Sequence, residues 1–265
     1  MSALHLAAIY RYPLKSARGH RLDTAVVDRF GLAGDRRWML VDDTGRFLSQ
    51  RSEPKLALLA VECQGDGLRL TFGGSSITVS RPDPRGERVM ATVWGDTVPA
   101  SLADAAVNSW ISERLYAPTR LVYCPDDALR GVDPDYAPAG QLVGFADGFP
   151  LLLISEASLD YLNQRLPAPV EMDRFRPNLV IAGAEPHAED SWRRLRIGEA
   201  ELELVKPCSR CAIPSINQKT GERDPHINRA LATYRRRDGI IYFGMNALAS
   251  QGAHFSEGDP VEIIG

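Results

Sequence analysis

The chain is short of several things. It has only four cysteines in 265 residues, too few to staple a secreted scaffold, which fits a reducing compartment. It has no charge excess: 31 basic side chains face 34 acidic ones, a formal net charge of −3, so it is not built to coat nucleic acid or an anionic membrane. Its longest apolar run, Leu56–Val61, falls far below the roughly 20 residues of a membrane helix. Met1 to Tyr10 carries no basic n-region and no cleavage site, so no signal peptide is expected. No internal repeat and no low-complexity tract appear. Apolar residues at 44% and charged residues at 25% are those of a globular protein with one large domain or two small ones.

The first hundred residues read as β. Leu4, Leu6, Ala8 and Tyr10 alternate as one face of a strand. Arg36–Asp42 and Arg46–Gln50 flank Asp43-Thr44-Gly45, a hairpin pattern repeated by Leu58–Cys63 with Leu68–Phe72 and by Arg88–Trp94 with Thr97–Ala100. Turn signals about every ten residues predict a barrel or sandwich. Apolar stripes predict helices over Leu102–Leu115 with Ser101 as N-cap, Glu156–Leu166 with Ser155 as N-cap, and Pro225–Arg236. Further strands are expected at Arg120–Cys124, Pro150–Ile154, Asn178–Ala182, Ala200–Val205, Ile240–Gly244 and Val261–Ile264. The fold class is mainly β with a few helices, α+β. Pro125 to Gly148 holds five aspartates and no clean period, and reads as a loop over a site.

The sharpest motif is Pro207-Cys208-Ser209-Arg210-Cys211. A zinc site would need a second ligand pair, and His5, His20, His187, His226 and His254 are scattered. A dithiol of thioredoxin type would need a helix to start at the motif, and Ala212-Ile213-Pro214-Ser215 is a poor start. Both stay open beside two others, a thiolate ligand for a soft metal and two thiols packed as small hydrophobes. Lys15-Ser16, Arg36 and Arg176 lie near turns, and arginine is the natural clamp for phosphate oxygens. Pro177 is expected to hold Arg176 extended. Singly each reads as surface charge, as do Arg193-Arg194-Leu195-Arg196 and Arg235-Arg236-Arg237. No P-loop, G-x-S-x-G or H-E-x-x-H appears.

Taken in order, these residues resemble one family. Tyr12-Pro13-Leu14-Lys15-Ser16-x-x-Gly19, Gly31-Leu32-x-Gly34-Asp35-Arg36-x-Trp38 and Val93-Trp94-Gly95-Asp96 resemble the N-terminal β-barrel region of MOSC proteins. Phe145-x-Asp147, Leu152–Ser158, Leu162-Asn163, Phe175-Arg176-Pro177-Asn178, Cys208-Ser209-Arg210-Cys211 and Gly258-Asp259-Pro260-Val261 resemble the MOSC domain, named for the C-terminal domain of molybdenum cofactor sulfurase. The likeness is to the YcbX-like bacterial proteins and the mitochondrial amidoxime-reducing component, with a barrel region over 1–117 and a MOSC domain over 118–265.

The resemblance implies a molybdenum cofactor, molybdenum held on molybdopterin. It implies that Cys211 binds the metal. Lys15, Ser16, Arg36, Arg176, Asn178, Ser209 and Arg210 would hold the pterin and its phosphate, and Asp147 would stand near the metal. The implied reaction reduces N-hydroxylated compounds (hydroxylamines, amidoximes, N-hydroxylated bases) to amines and water with two electrons and two protons. The length leaves no room for a ferredoxin-like domain, so a separate electron-transfer protein of ferredoxin or flavoprotein type is expected, in the cytoplasm. Gly148-Phe149 and Asn246 depart from the animal proteins, and both are expected at the substrate opening. Competing readings are a sulfur carrier with a persulfide on Cys208 or Cys211, and a cofactor-delivery module without turnover.

Overall fold

The computed structural model describes residues 3–265. Among the described residues the chain is mainly β with three α-helices. Its largest sheet runs, in order, Val261–Ile263, Arg194–Ile197, Ala200–Ser209, Ile240–Ala249, Leu151–Ser155, Leu179–Ala182, His5–Arg11 and His20–Leu22, with Arg236–Arg237 paired to Ile240–Ala249. Every pairing is antiparallel except Leu151–Ser155 with Leu179–Ala182. That parallel pair needs a crossover, and the helix Glu156–Asn163 supplies it. Ser155 caps this helix by accepting from the Ser158 amide at 3.2 Å, as its sequence predicts.

A four-stranded sheet orders Trp38–Val41, Arg120–Tyr123, Asp96–Leu102 and Arg88–Val93. Ala60–Gln64, Gly67–Phe72 and Ser75–Val79 form a three-stranded meander. The helix Ala105–Leu115 buries Val107 and Ile111 against Leu40, Leu68, Leu70 and Leu121. It starts later than expected, because Ser101 and Leu102 pair with Tyr123 and Val122 as the end of a strand. Residues 46–50 form only isolated bridges, Val41 with Phe47 and Arg46 with Thr92, so the expected second hairpin strand is not built there.

The first strand shows how the halves join. Its register shifts between Leu6 and Ala8. One extra residue rotates the strand, so the expected face of Leu4, Leu6, Ala8 and Tyr10 is split. Leu6 and Ile9 enter the core with Leu153, Ile181, Leu195 and Leu202, while Ala8 packs with Leu162, Ile227, Leu231 and Phe243 under the helices Glu156–Asn163 and His226–Tyr234. The first strand thus shares its apolar burial with the last hundred residues, and its exit at Tyr12–Ser16 is fixed to them. Among the described residues no helix is long and apolar enough to cross a membrane.

Candidate functional site

Five chain segments meet in one pocket. They are Lys15–Ser16 beyond the first strand, Arg36, the loop Ala146–Phe149 before Leu151, the entry Phe175–Asn178 to the strand at Leu179, and Cys208–Cys211 at the end of a long strand. Lys15, Ser16, Arg36, Asp147, Arg176, Asn178, Ser209, Arg210 and Cys211 all line it, with Gly148, Phe149 and Asn246. Nothing in their spacing, from 15 to 211, required this convergence.

Each segment is locked by its own bonds. Lys15 Nζ donates to the Phe145 carbonyl at 2.8 Å and to Asp147 Oδ1. Burial pulls the Lys15 ammonium below its ordinary pKa, and Asp147 opposes that. Burial alone would raise the Asp147 carboxyl. The charge and hydrogen bond of Lys15, the Trp94 indole N–H at 3.1 Å and the Arg36 charge outweigh it, so the carboxyl lies below the usual carboxylate range. The Asp147 side chain is still 63% exposed in the open pocket, so water screens these charges.

Arg36 donates to Asp35 at 2.6 Å, to Asn178 Oδ1 at 3.1 Å and to the Arg176 carbonyl at 3.0 Å. Asn178 ties two strands together, accepting from the Leu152 amide at 3.2 Å and donating to the Tyr10 carbonyl at 3.2 Å. The Arg36 and Arg176 guanidinium groups lie 4.3 Å and 4.2 Å from the centre of the buried Tyr12 ring. Arg176 Nη1 reaches the Ala17 carbonyl at 2.7 Å, while buried Nη2 has no partner. Burial, and next the Arg36 charge, pull this guanidinium down to about 10.

Arg176 is not extended, as the proline after it suggested. Its φ is +56°, because it closes the 3-10 turn Met172–Arg174 in the left-handed region, its amide bonded to the Asp173 carbonyl at 3.2 Å. Proline disfavours only the right-handed helical region before it, and the left-handed one ends a turn equally well. Ser16 and Arg36 share this conformation, at +66° and +44°. Three non-glycine residues at positive φ in one pocket mark a backbone held against its preference.

Around the thiols, Arg210 Nη1 donates to Cys208 Sγ at 3.1 Å and Nη2 to the Phe175 carbonyl at 2.7 Å. Cys211 Sγ accepts from the Ile213 amide at 3.5 Å. After Cys211 comes only the 3-10 turn Ile213–Ser215, so no α-helix starts at the motif. Among the described residues no three His, Cys, Asp or Glu side chains gather as metal ligands, which leaves a four-ligand zinc site unbuilt. Cys124 is buried, its thiol pushed up to about 11 by burial, and Cys63 lies in the strand Ala60–Gln64.

Two residues not expected at the site shape the pocket: Arg130, and Trp94 of the Val93-Trp94-Gly95-Asp96 motif. Arg130 sits inside the loop 125–148, buried, and donates to the carbonyls of Gly144, Ala146 and Asp147 at 2.8, 2.6 and 2.9 Å and to Asp96 at 2.7 Å. Trp94 is 46% exposed, at φ +56°, with the Arg51 guanidinium 4.2 Å from its ring centre. A lone basic residue in an aspartate-rich loop was the available signal for Arg130. Arg235, read as solvated, is buried instead and paired with Asp190 at 2.7 Å, because the helix before it ends against the sheet.

The class that the fold and the site define is a mainly β domain in which one pocket brings two free cysteines together with Lys15, Arg36, Arg176 and Arg210. Residues 3–118 match the MOSC N-terminal beta barrel domain and residues 141–262 match the MOSC domain. The chain is 31% identical to mitochondrial amidoxime-reducing component 1 of Homo sapiens over 284 residues, covering 98% of this chain and 83% of that protein. It is 32% identical over 275 residues to molybdenum cofactor sulfurase of Oryza sativa subsp. japonica, covering 92% of this chain. It spans about a third, 32%, of that sulfurase's length. The chain belongs to the MOSC family.

Proposed function

We propose that the pocket binds the molybdenum cofactor and that the protein reduces N-hydroxylated compounds to amines, with electrons from a separate redox protein. One observation carries this reading: two free thiols, Cys208 and Cys211, and a surplus of cations line the same pocket. Lys15, Arg36, Arg176 and Arg210 face a single lining carboxylate, Asp147. Arg176 and Arg210 pair with no carboxylate among the described residues, and buried Arg176 Nη2 and Arg210 Nε are unpartnered. A phosphate and a thiolate–metal group are the chemistry that satisfies such a set.

Cys211 would ligate the metal, and Arg36, Arg176, Ser16 and Asn178 would hold the phosphate and pterin, with Ser209 and Arg210 beside them. The bound group supplies two-electron redox chemistry at a nitrogen–oxygen bond. The protein's own residues set the surroundings. Asp147, kept ionised, acts as an acceptor that orients Lys15 and a substrate N–H or O–H. Lys15, with its pKa lowered by burial, is the proton-bearing side chain placed beside that carboxylate. The names of the amidoxime-reducing relatives support N-hydroxylated substrates for this chain.

The test is metal analysis of protein from a molybdenum-competent host, followed by reduction of benzamidoxime with an artificial electron donor. Cys211→Ser is expected to lose bound molybdenum and turnover together. Full molybdenum and full turnover in that variant would refute the ligand assignment. Bound cofactor without turnover would favour a delivery module, and a persulfide without molybdenum a sulfur carrier.

A further inference from the structure

Trp94 stands at the tip of the hairpin that joins Arg88–Val93 to Asp96–Leu102, where Asp96 pairs back to Val93. The fold does not account for two of its features. Its φ of +56° lies in the left-handed region, which hairpin turns usually give to glycine, asparagine or aspartate. Its side chain is large and aromatic, yet it is exposed and belongs to no buried apolar cluster among the described residues. What holds the ring is the edge of the pocket. The indole N–H donates to Asp147 Oδ1 at 3.1 Å, the Phe47 ring centre lies 5.4 Å away, and the Arg51 guanidinium packs on the ring.

The carboxylate beside this ring is only half used. Lys15 Nζ and the Trp94 indole both donate to Asp147 Oδ1, and Oδ2 accepts no hydrogen bond among the described residues. The next residue leaves room, since a Cβ on Gly148 would meet nothing within 4 Å. A free acceptor, open space and an exposed aromatic ring therefore adjoin one another at the mouth of the pocket. An ionised carboxylate only accepts, so whatever binds Oδ2 brings an N–H or an O–H. A flat conjugated group on that molecule gains from packing on the indole, and a puckered one of the same size does not.

We infer that Trp94 is a specificity-determining residue of this site, and that it selects substrates whose N-hydroxylated group is carried on a flat conjugated ring, with an N–H or O–H of that group on Asp147 Oδ2 and the ring against the indole. The choice of an N-hydroxylated group rests on the reductase reading above. Among the compounds that reading allows, arylamidoximes and N-hydroxylated bases meet both contacts. Hydroxylamines on a saturated carbon meet only the carboxylate.

The experiment compares two neutral compounds with the same head group, benzamidoxime and cyclohexanecarboxamidoxime, one flat and one puckered. Each is titrated by calorimetry into the full chain from a molybdenum-competent host, with no electron donor, so that binding is read apart from turnover. Benzamidoxime is expected to bind about two- to tenfold more tightly. The saturated ring is at least as apolar, so burial alone would not give that order. Trp94→Leu is expected to abolish the preference, and Trp94→Phe, which keeps a ring without the N–H, to keep part of it. Trp94→Gly, suited to the positive φ, is the second ring-free variant, and thermal unfolding checks that each is folded. With an artificial donor the same difference is expected in KM, with kcat alike for the two compounds. Equal affinities in the wild type, no binding of either at about 10 mM, or an unchanged preference in the ring-free variants overturns the inference. Molybdenum and turnover without any preference leave the reductase reading standing and remove the role of Trp94. A Trp94-dependent preference in binding, in protein that turns over neither compound, does the reverse.

Discussion

Replacing Arg130 by methionine removes one side chain's grip on the loop that carries Asp147. The side chain is 5% exposed, and its guanidinium makes four bonds of 2.6–2.9 Å. Methionine keeps the apolar stem and deletes every donor. Bonds to a charged group contribute about 1.5–3 kcal/mol each, so four give an upper bound of roughly 6–12 kcal/mol. Two effects reduce this. Asp96 is 53% exposed and recovers water, and carbonyls freed in a loop are rehydrated in part. Three carbonyls left without this donor cost about 1–3 kcal/mol each before rehydration, and about 3–5 kcal/mol in all is the figure we adopt. With an unfolding entropy of ~2.1 cal/mol/K per residue over 265 residues, the Tm falls by about 5–9 °C. The assay is thermal unfolding of Arg130→Met and Arg130→Lys beside wild type, with bound molybdenum measured on each. Lysine keeps the charge but not the fork, and is expected between the two. An Arg130→Met protein within about 1 °C of wild type, with full cofactor content, would refute the reasoning.

Three further outcomes are expected. Gly244→Ala destabilises by about 2–5 kcal/mol in denaturant unfolding, through strain at positive φ and crowding; φ is +81°, and a Cβ would lie 2.6 Å from Ile154 Cγ1 and 2.8 Å from the Leu153 carbonyl oxygen. His187 has its pKa lowered from 6.5 to about 4, by burial and then by Arg235. Because the folded state favours the neutral ring, its contribution to stability is full above pH 6.5 and lost as pH falls toward 4; His187→Phe should flatten stability against pH in that window, and an unchanged slope would contradict the cause. Ser16→Gly relieves a left-handed serine, so the fold should be unchanged or more stable by up to about 1 kcal/mol while cofactor retention falls, which separates the hydroxyl's role from the backbone's.

The strands were legible where apolar residues alternate, and less so where a single residue breaks the period. Leu6 to Ala8 carries a register shift that no pattern announces, and it moves Ile9 to one core and Ala8 to another. Arg193-Arg194-Leu195-Arg196 did contain its strand: Leu195 and Ile197 point inward between exposed arginines, but the charge hid the alternation. The pocket was hardest. Lys15, Arg36 and Arg176 are each unremarkable locally, Cys211 sits in a motif with several readings, and only the order of motifs suggested one site. Their convergence comes from the sheet, where Ile9 pairs with Leu179 and Leu153 with Leu179, bringing the ends of three strands together. The left-handed turn at Arg176 was invisible because a proline restricts the preceding residue without choosing among the regions it leaves open.

The charges in the pocket differ in how they are balanced, and that difference bears on function. Asp35 balances Arg36 and Asp147 balances Lys15. Arg176, equally buried, has only the Ala17 carbonyl and the face of Tyr12, and it lies beside a second guanidinium. Desolvating a cation without a counter-ion is among the larger costs a fold can carry. Here it coincides with positive φ at Ser16, Arg36 and Arg176. The two costs meet at Arg176, which is the signature of a site arranged in advance for something it does not itself contain. An anion that reaches Arg176 removes the electrostatic part of that cost, so ligand affinity and fold stability are linked through this side chain. Neutralising Arg176 would therefore weaken the ligand while relieving the ligand-free protein, the opposite of what loss of a purely structural ion pair would do.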